Sequence, residues 1–197
     1  MKKGPANREI ICFPSADKWE HWLDKHHTTS NGIWLRFFKK DSGVASVTHA
    51  EALDEALCYG WIDGQALKYD AKSWLQKFTP RRSKSIWSKR NIGHVARLSK
   101  AKKMKPAGLA ELEAAKADGR LARAYDSPST MQIPREFLAQ LAKSKKAHAF
   151  FKTLNRANTY AIAWRLQTAK KPETREKRMK AILDMLAKGE AFHSSTK

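Results

Sequence analysis

The chain has 197 residues, 42% of them hydrophobic, and a formal net charge of +20 at pH 7 from 39 Lys and Arg against 19 Asp and Glu. That length fits one domain, or one domain with a smaller appendage, and seven Trp, eight Phe and four Tyr argue against disorder. The surplus of positive charge disfavours cationic partners and favours anionic ones: nucleic acid, acidic lipid, acidic protein or phosphorylated metabolites.

The first predicted element is a short strand over Glu9 to Phe13. Ser15 then caps a helix running to about His26, since Trp19, Trp22 and Leu23 share one face. Asn31-Gly32 makes a turn, and Ile33 to Lys39 reads as a second strand. Thr48-His49-Ala50-Glu51 has the capping-box pattern, Leu53, Ala56 and Leu57 continue a helical face, and Gly60 supplies the stop. Trp61 to Tyr69 and Ser73 to Thr79 form a hairpin around Asp70-Ala71. The order β-α-β-α-β-β predicts an α+β fold with a small antiparallel sheet, because most links are too short for parallel crossovers.

From about Ser85 the chain turns helical, with helices predicted over Trp87 to Lys103 and Pro106 to Asp118, the latter closed by Gly119. Arg120 to Pro134 reads as a connector. Four short helices follow, over Pro134 to Ala142, Lys145 to Leu154, Asn158 to Ala169 and Pro172 to Lys188. In the last, Met179, Ile182, Leu183 and Leu186 form an apolar stripe closed by Gly189. The expected plan is an α+β domain over 1–119, a connector over 120–134, a helical region over 135–190 and a tail over 191–197.

Positive charge is concentrated in two places. No acidic residue falls between Asp70 and Glu111, and Glu173 and Glu176 are the only acids between Lys143 and Lys180. Within the first stretch, Phe78 to Asn91 leaves a strand, passes Pro80, Arg81 and Arg82, and enters a helix at a serine. A helix start offers unpaired N–H groups and the positive end of the helix dipole, and Arg81 and Arg82 add forked donors. Arg81, Arg82, Lys84, Ser85, Ser88, Lys89, Arg90 and Asn91 are the candidate anion-binding residues, with Trp61, Asp63 and Trp87 as candidate pocket residues. The alternative is structural: Ser85 only caps, Trp87 is core, and the arginines pair with carboxylates such as Asp63.

No phosphate-binding glycine loop, nucleophile elbow or zinc-protease motif occurs, and the histidines do not pair at metal-ligand spacing, so no cofactor or metal is expected. No residue set argues for catalysis. Base-specific readout has no support either, because helix-turn-helix, zinc-finger, RNP and KH signatures are absent. Cys12 and Cys58 form no disulfide framework, and both are expected to act as small buried hydrophobes. His26-His27 complements the end of the first helix. No apolar segment follows the basic start and no run approaches a membrane span, so a cytoplasmic protein is expected.

Ala56-Leu57-Cys58-Tyr59-Gly60-Trp61-Ile62-Asp63-Gly64, then Phe78-Thr79-Pro80-Arg81-Arg82 with Ser85, Trp87, Ser88 and Asn91, resemble the YdeI/OmpD-associated family, also labelled bacteriocin-protection proteins. Met104-Lys105-Pro106-Ala107-Gly108-Leu109 and Ala169-Lys170-Lys171-Pro172-Glu173-Thr174-Arg175 with Lys177-Arg178 extend the resemblance over about Phe13 to Gly189. It implies an N-terminal α+β domain like the YdhG or YjbR/CyaY-like folds, and a helical C-terminal region. It also implies a link to antimicrobial-peptide tolerance and an outer-membrane porin, without a known reaction. At +20 the chain repels cationic peptides, so sequestering them is disfavoured. The functional expectation is a non-enzymatic cytoplasmic protein that binds nucleic acid or another polyanion. The alternatives are an anionic-metabolite-binding protein or enzyme using a pocket near Asp63, Arg81 and Arg82, and an envelope-stress protein working through protein or lipid contacts.

Overall fold

A computed structural model describes residues 4–193. The chain divides into two compact units, one formed by residues 1–85 and 91–122, the other by 86–90 and 123–197.

The first unit is the α+β part. Its strands are β1 (Ile10–Ile11), β2 (Ile33–Phe38), β3 (Trp61–Lys68) and β4 (Ser73–Pro80), in the sheet order β1-β2-β4-β3. Pairing is antiparallel except between β1 and β2, where the long link through α1 (Ala16–His26) permits a parallel partner. Local signals define the two helices of this half. Ser15 Oγ accepts from the Lys18 N–H at 3.4 Å to begin α1. At α2 (His49–Cys58), Thr48 and Glu51 complete a reciprocal box: the Glu51 carboxylate accepts from the Thr48 N–H at 2.9 Å, and Thr48 Oγ1 accepts from the Glu51 N–H at 3.3 Å. Gly60, at φ 73°, ends the helix in a conformation that penalises a Cβ. Asp70 shapes the β3–β4 turn by accepting from the Lys72 N–H and Ser73 Oγ.

The core of this unit is aromatic. Trp19, Trp34, Trp61 and Phe78 are fully buried with Leu23, Leu35 and Leu57, and each such side chain contributes about 2–3 kcal/mol of burial. Trp19 reaches α2 by donating its indole N–H to the Ala52 carbonyl at 3.0 Å. Cys58 is buried as expected, whereas Cys12 is exposed beside the two-residue β1.

Two more helices follow, α3 (Lys89–Lys100) and α4 (Pro106–Ala117). The predicted helix over Trp87 to Lys103 is therefore shorter at both ends. At its start, Tyr125 donates its N–H to the Trp87 carbonyl at 3.0 Å and accepts from the Lys89 N–H at 2.9 Å. This holds 87–88 in a short parallel bridge, so the helix opens only after Ser88. At its end Lys102 takes φ 56°, and the Lys103 N–H turns back to the Leu98 carbonyl at 3.0 Å.

The second unit contains α5 (Arg135–Leu141), α6 (Lys145–Phe151), α7 (Arg156–Gln167) and α8 (Pro172–Ala187). Phe137, Leu141, Ala147, Ile162, Leu166, Ile182 and Leu186 form its core. Short helices are marginal alone, so these depend on burying their stripes against one another. α7 begins earlier than the apolar pattern predicts, because Asn155 Oδ1 accepts from the Asn158 N–H at 3.0 Å and caps it. No helix among the described residues is long and apolar enough to cross a membrane.

Candidate anion-binding site

Ser85 does not cap a helix. Its Oγ accepts from the Arg82 N–H at 3.1 Å, while its own N–H donates to the Arg82 carbonyl at 2.8 Å. The pair closes a turn that leaves Arg82 and Lys84 exposed and Arg81 half-buried. The Arg81 N–H donates to the Gly60 carbonyl at 3.0 Å, fixing this turn at the end of the β3–β4 hairpin.

Trp61 and Asp63, two of the expected pocket residues, are both engaged by other residues of the first unit. Trp61 is 1% exposed, donates its indole N–H to the His27 carbonyl at 3.1 Å, and packs edge-on against Trp19 and Trp22. It has no free face for a ligand ring. Asp63 bonds His49 Nε2 through Oδ2 at 3.2 Å, so histidine takes the place expected of Arg81 or Arg82. Trp87, the other aromatic candidate for the pocket, is 2% exposed and offers no open ring face. Ser88 and Asn91 are buried polar residues at the beginning of α3.

What remains accessible is charge. The buried side of α3 is Asn91, Val95 and Leu98. Its outward positions are Lys89, Arg90, Gly93, Ala96, Arg97 and Lys100, all exposed, so one helix face combines four cations with two small residues. An added Cβ at Gly93 meets nothing within 4 Å, leaving that face flat. Some of these cations are already neutralised: Lys89 pairs with Asp126 at 2.7 Å and Arg97 with Asp54 at 2.6 Å. Lys105, beyond the helix, pairs with Glu20 at 2.9 Å. Arg82, Lys84, Arg90, Lys100, Lys102 and Lys103 are exposed and make no ion pair among the described residues. Gly93 and Ala96 were invisible as site residues in the sequence. Helical spacing places them between the cations, but only burial shows that this is the outward face.

Two histidine–carboxylate contacts lie in the same unit. Asp54 accepts from Arg97 and contacts His94 Nδ1 at 2.8 Å. Burial pushes its carboxyl up, but the hydrogen bonds from Arg97 and His94 outweigh burial and hold it below the usual carboxylate range. His49 is half-buried beside Phe37, Trp74 and Phe78 and meets Asp63. Neither contact includes a hydroxyl or thiol nucleophile, and Cys58 is held protonated by burial, its thiol pushed up to about 12. Among the described residues no group of three or more His, Cys, Asp and Glu is arranged to hold a metal. At the end of α1, His27 Nδ1 lies 2.9 Å from the Leu23 carbonyl, as a helix-end complement should.

Residues 11–111 match the family described as "Domain of unknown function (DUF8412)". Residues 130–189 match the family described as "Bacteriocin-protection, YdeI or OmpD-Associated". The second match supports the resemblance drawn from the sequence, over the helical part of the chain. The first covers the segment for which a YdhG or YjbR/CyaY-like fold was expected. No curated protein and no solved structure matches the chain.

Proposed function

Since this chain belongs to the DUF8412 family through residues 11–111 and carries a bacteriocin-protection-type segment over residues 130–189, we propose that it is a non-enzymatic polyanion-binding protein with nucleic acid as its ligand. The observation that carries this reading is the outward face of α3, where Arg90 and Lys100 stand exposed and unpaired beside the flat Gly93–Ala96 surface. Lys102 and Lys103 follow directly in sequence, and the exposed Arg82 and Lys84 stand in the turn after β4. Phosphates meeting such cations release counterions, which supplies most of the affinity of non-specific binding. Small residues between the cations allow a sugar–phosphate backbone to approach the helix closely. Base stacking has no part in this site, because Trp61 and Trp87 are buried.

The bacteriocin-protection description comes into this reading as an indirect role. A chain at +20 repels cationic peptides, so tolerance would follow from an intracellular nucleic-acid partner rather than from capturing the toxin. A YdhG or YjbR/CyaY-like N-terminal fold would be compatible with that role, and cell fractionation tests the cytoplasmic location it requires.

The test is binding of fluorescent single-stranded and double-stranded DNA and RNA across a salt series. Each phosphate contact adds about 0.9 to the slope of log affinity against log salt on duplex DNA, so Arg90→Gln/Lys100→Gln lowers the slope by about 1.8. Absence of binding at about 50 mM salt, or a slope unchanged in the double variant, overturns the proposal.

A further inference from the structure

We infer that the helical second unit carries a separate ligand site, a pocket for a small amphipathic organic anion with an apolar body and a carboxylate headgroup. This goes beyond the polyanion reading and shares no residue with α3.

The pocket lies along α7 and α8 and has a volume of about 440 Å³. That is within the range of small-molecule sites, which are mostly apolar with a few placed polar groups. Its apolar walls are Trp164, Ile182, Met185 and Phe192, with Ala181 beside them. Its polar groups are two arginines, Arg165 and Arg178.

Both guanidinium groups are held in place by the protein. Arg165 lies 3.8 Å over the Phe192 ring, which orients its plane against an apolar surface. Arg178 donates through Nη1 to the Arg165 carbonyl at 2.7 Å and to Thr168 Oγ1 at 3.4 Å. Those bonds anchor Arg178 to the last turn of α7. Its Nε and Nη2 donate no bond among the described residues.

What the pair lacks is a counter-ion. Arg175, one turn before Arg178 on α8, pairs with Glu136. Neither Arg165 nor Arg178 forms an ion pair among the described residues, although both are half-buried beside apolar side chains. Partial desolvation of a cation without a partner is unfavourable, and an incoming carboxylate relieves it with charge-assisted, forked hydrogen bonds. The apolar walls select the remainder of the ligand. A nucleic-acid backbone suits this pocket poorly, because it presents charge continuously and offers no apolar body to the Trp164–Met185 wall. The sequence hid the site because Arg165 and Arg178 are 13 residues apart and converge only when α7 packs on α8.

The experiment is calorimetric titration of the whole chain with 2-naphthoate and with 2-naphthamide, which share an apolar body and differ in headgroup charge. Naphthoate is expected to bind about tenfold or more tightly than the amide. Arg165→Gln should reduce naphthoate to the level of the amide. Ala181→Trp, at an exposed position on the pocket wall, should fill the pocket and abolish binding of both compounds. Circular dichroism and thermal melting establish that each variant is folded. The salt slope for nucleic acid should not change in Arg165→Gln, which separates this site from the α3 face. Equal affinity for the two compounds, no binding of either at about 1 mM, or naphthoate binding that survives both variants overturns the proposal.

Discussion

Two glycine-to-alanine changes should move stability in opposite directions, although the chemistry is the same and both positions are helical. Gly108 lies in the first turn of α4, against the end of α2. A Cβ there would sit 2.2 Å from the Cys58 carbonyl oxygen and 2.8 Å from the Leu57 oxygen. Both are backbone atoms, so no side chain can swing away, and the shorter approach is more than about 1 Å inside normal contact. The two helices must separate, straining the hydrogen bond from the Lys105 N–H to the Cys58 carbonyl at 3.1 Å. Overpacking costs about 1–3 kcal/mol and the weakened hydrogen bond about 1 kcal/mol, against about 1 kcal/mol gained in helix propensity. Gly108→Ala is therefore expected to destabilise by about 2 kcal/mol. Gly93, in the interior of α3, has open space where its Cβ would go, so Gly93→Ala should stabilise by up to about 1 kcal/mol. Urea unfolding followed by tryptophan fluorescence reads both, since Trp19, Trp34 and Trp61 are buried in the same unit. At a slope near 2 kcal/mol per molar, the midpoint should fall by about 1 M for Gly108→Ala and rise by up to about 0.5 M for Gly93→Ala. If Gly108→Ala is as stable as the parent, the close approach of α4 to α2 is wrong.

Arg120 is 6% exposed and bonds Glu111 at 2.7 Å, Asp118 at 2.6 Å and the Ser85 carbonyl at 3.4 Å. Arg120→Met strands these acceptors and should destabilise the first unit by about 3 kcal/mol in the same urea assay, with no rescue by Arg120→Lys, which lacks the fork. Asp54 has a folded-state pKa held below its unfolded value, so its stabilisation is present above about pH 4 and is lost as pH falls through the folded value. Thermal melts of Asp54→Asn should therefore show a flatter decline than the parent below about pH 4, and identical slopes would refute the assignment. Thr48→Ala removes one half of the capping box and should cost about 1 kcal/mol, read as a lower urea midpoint, with Thr48→Ser close to the parent.

Signals confined to one helical turn were legible without the structure. Ser15 and the Thr48–Glu51 box begin their helices where expected, Gly60 and Gly119 take positive φ at helix ends, and Ile182 and Leu186 of the apolar stripe enter the core. Each depends on groups a few residues apart, whose geometry the chain imposes on itself. The acid-free stretch was equally plain, as a matter of composition. Which of its cations remain available was not, because Asp54 and Asp126, which neutralise Arg97 and Lys89, are remote in sequence. The start of α3 lies later than the sequence predicts for the same reason: Tyr125 captures the backbone at Trp87 and Lys89 from across a long stretch of chain. Trp61 and Trp87 read as candidate pocket residues in the sequence because an indole's sequence neighbours do not say which face is covered. Packing covered both, gave Asp63 to His49, and brought Arg165 beside Arg178. These outcomes depend on long-range contacts, whose energies no local pattern encodes.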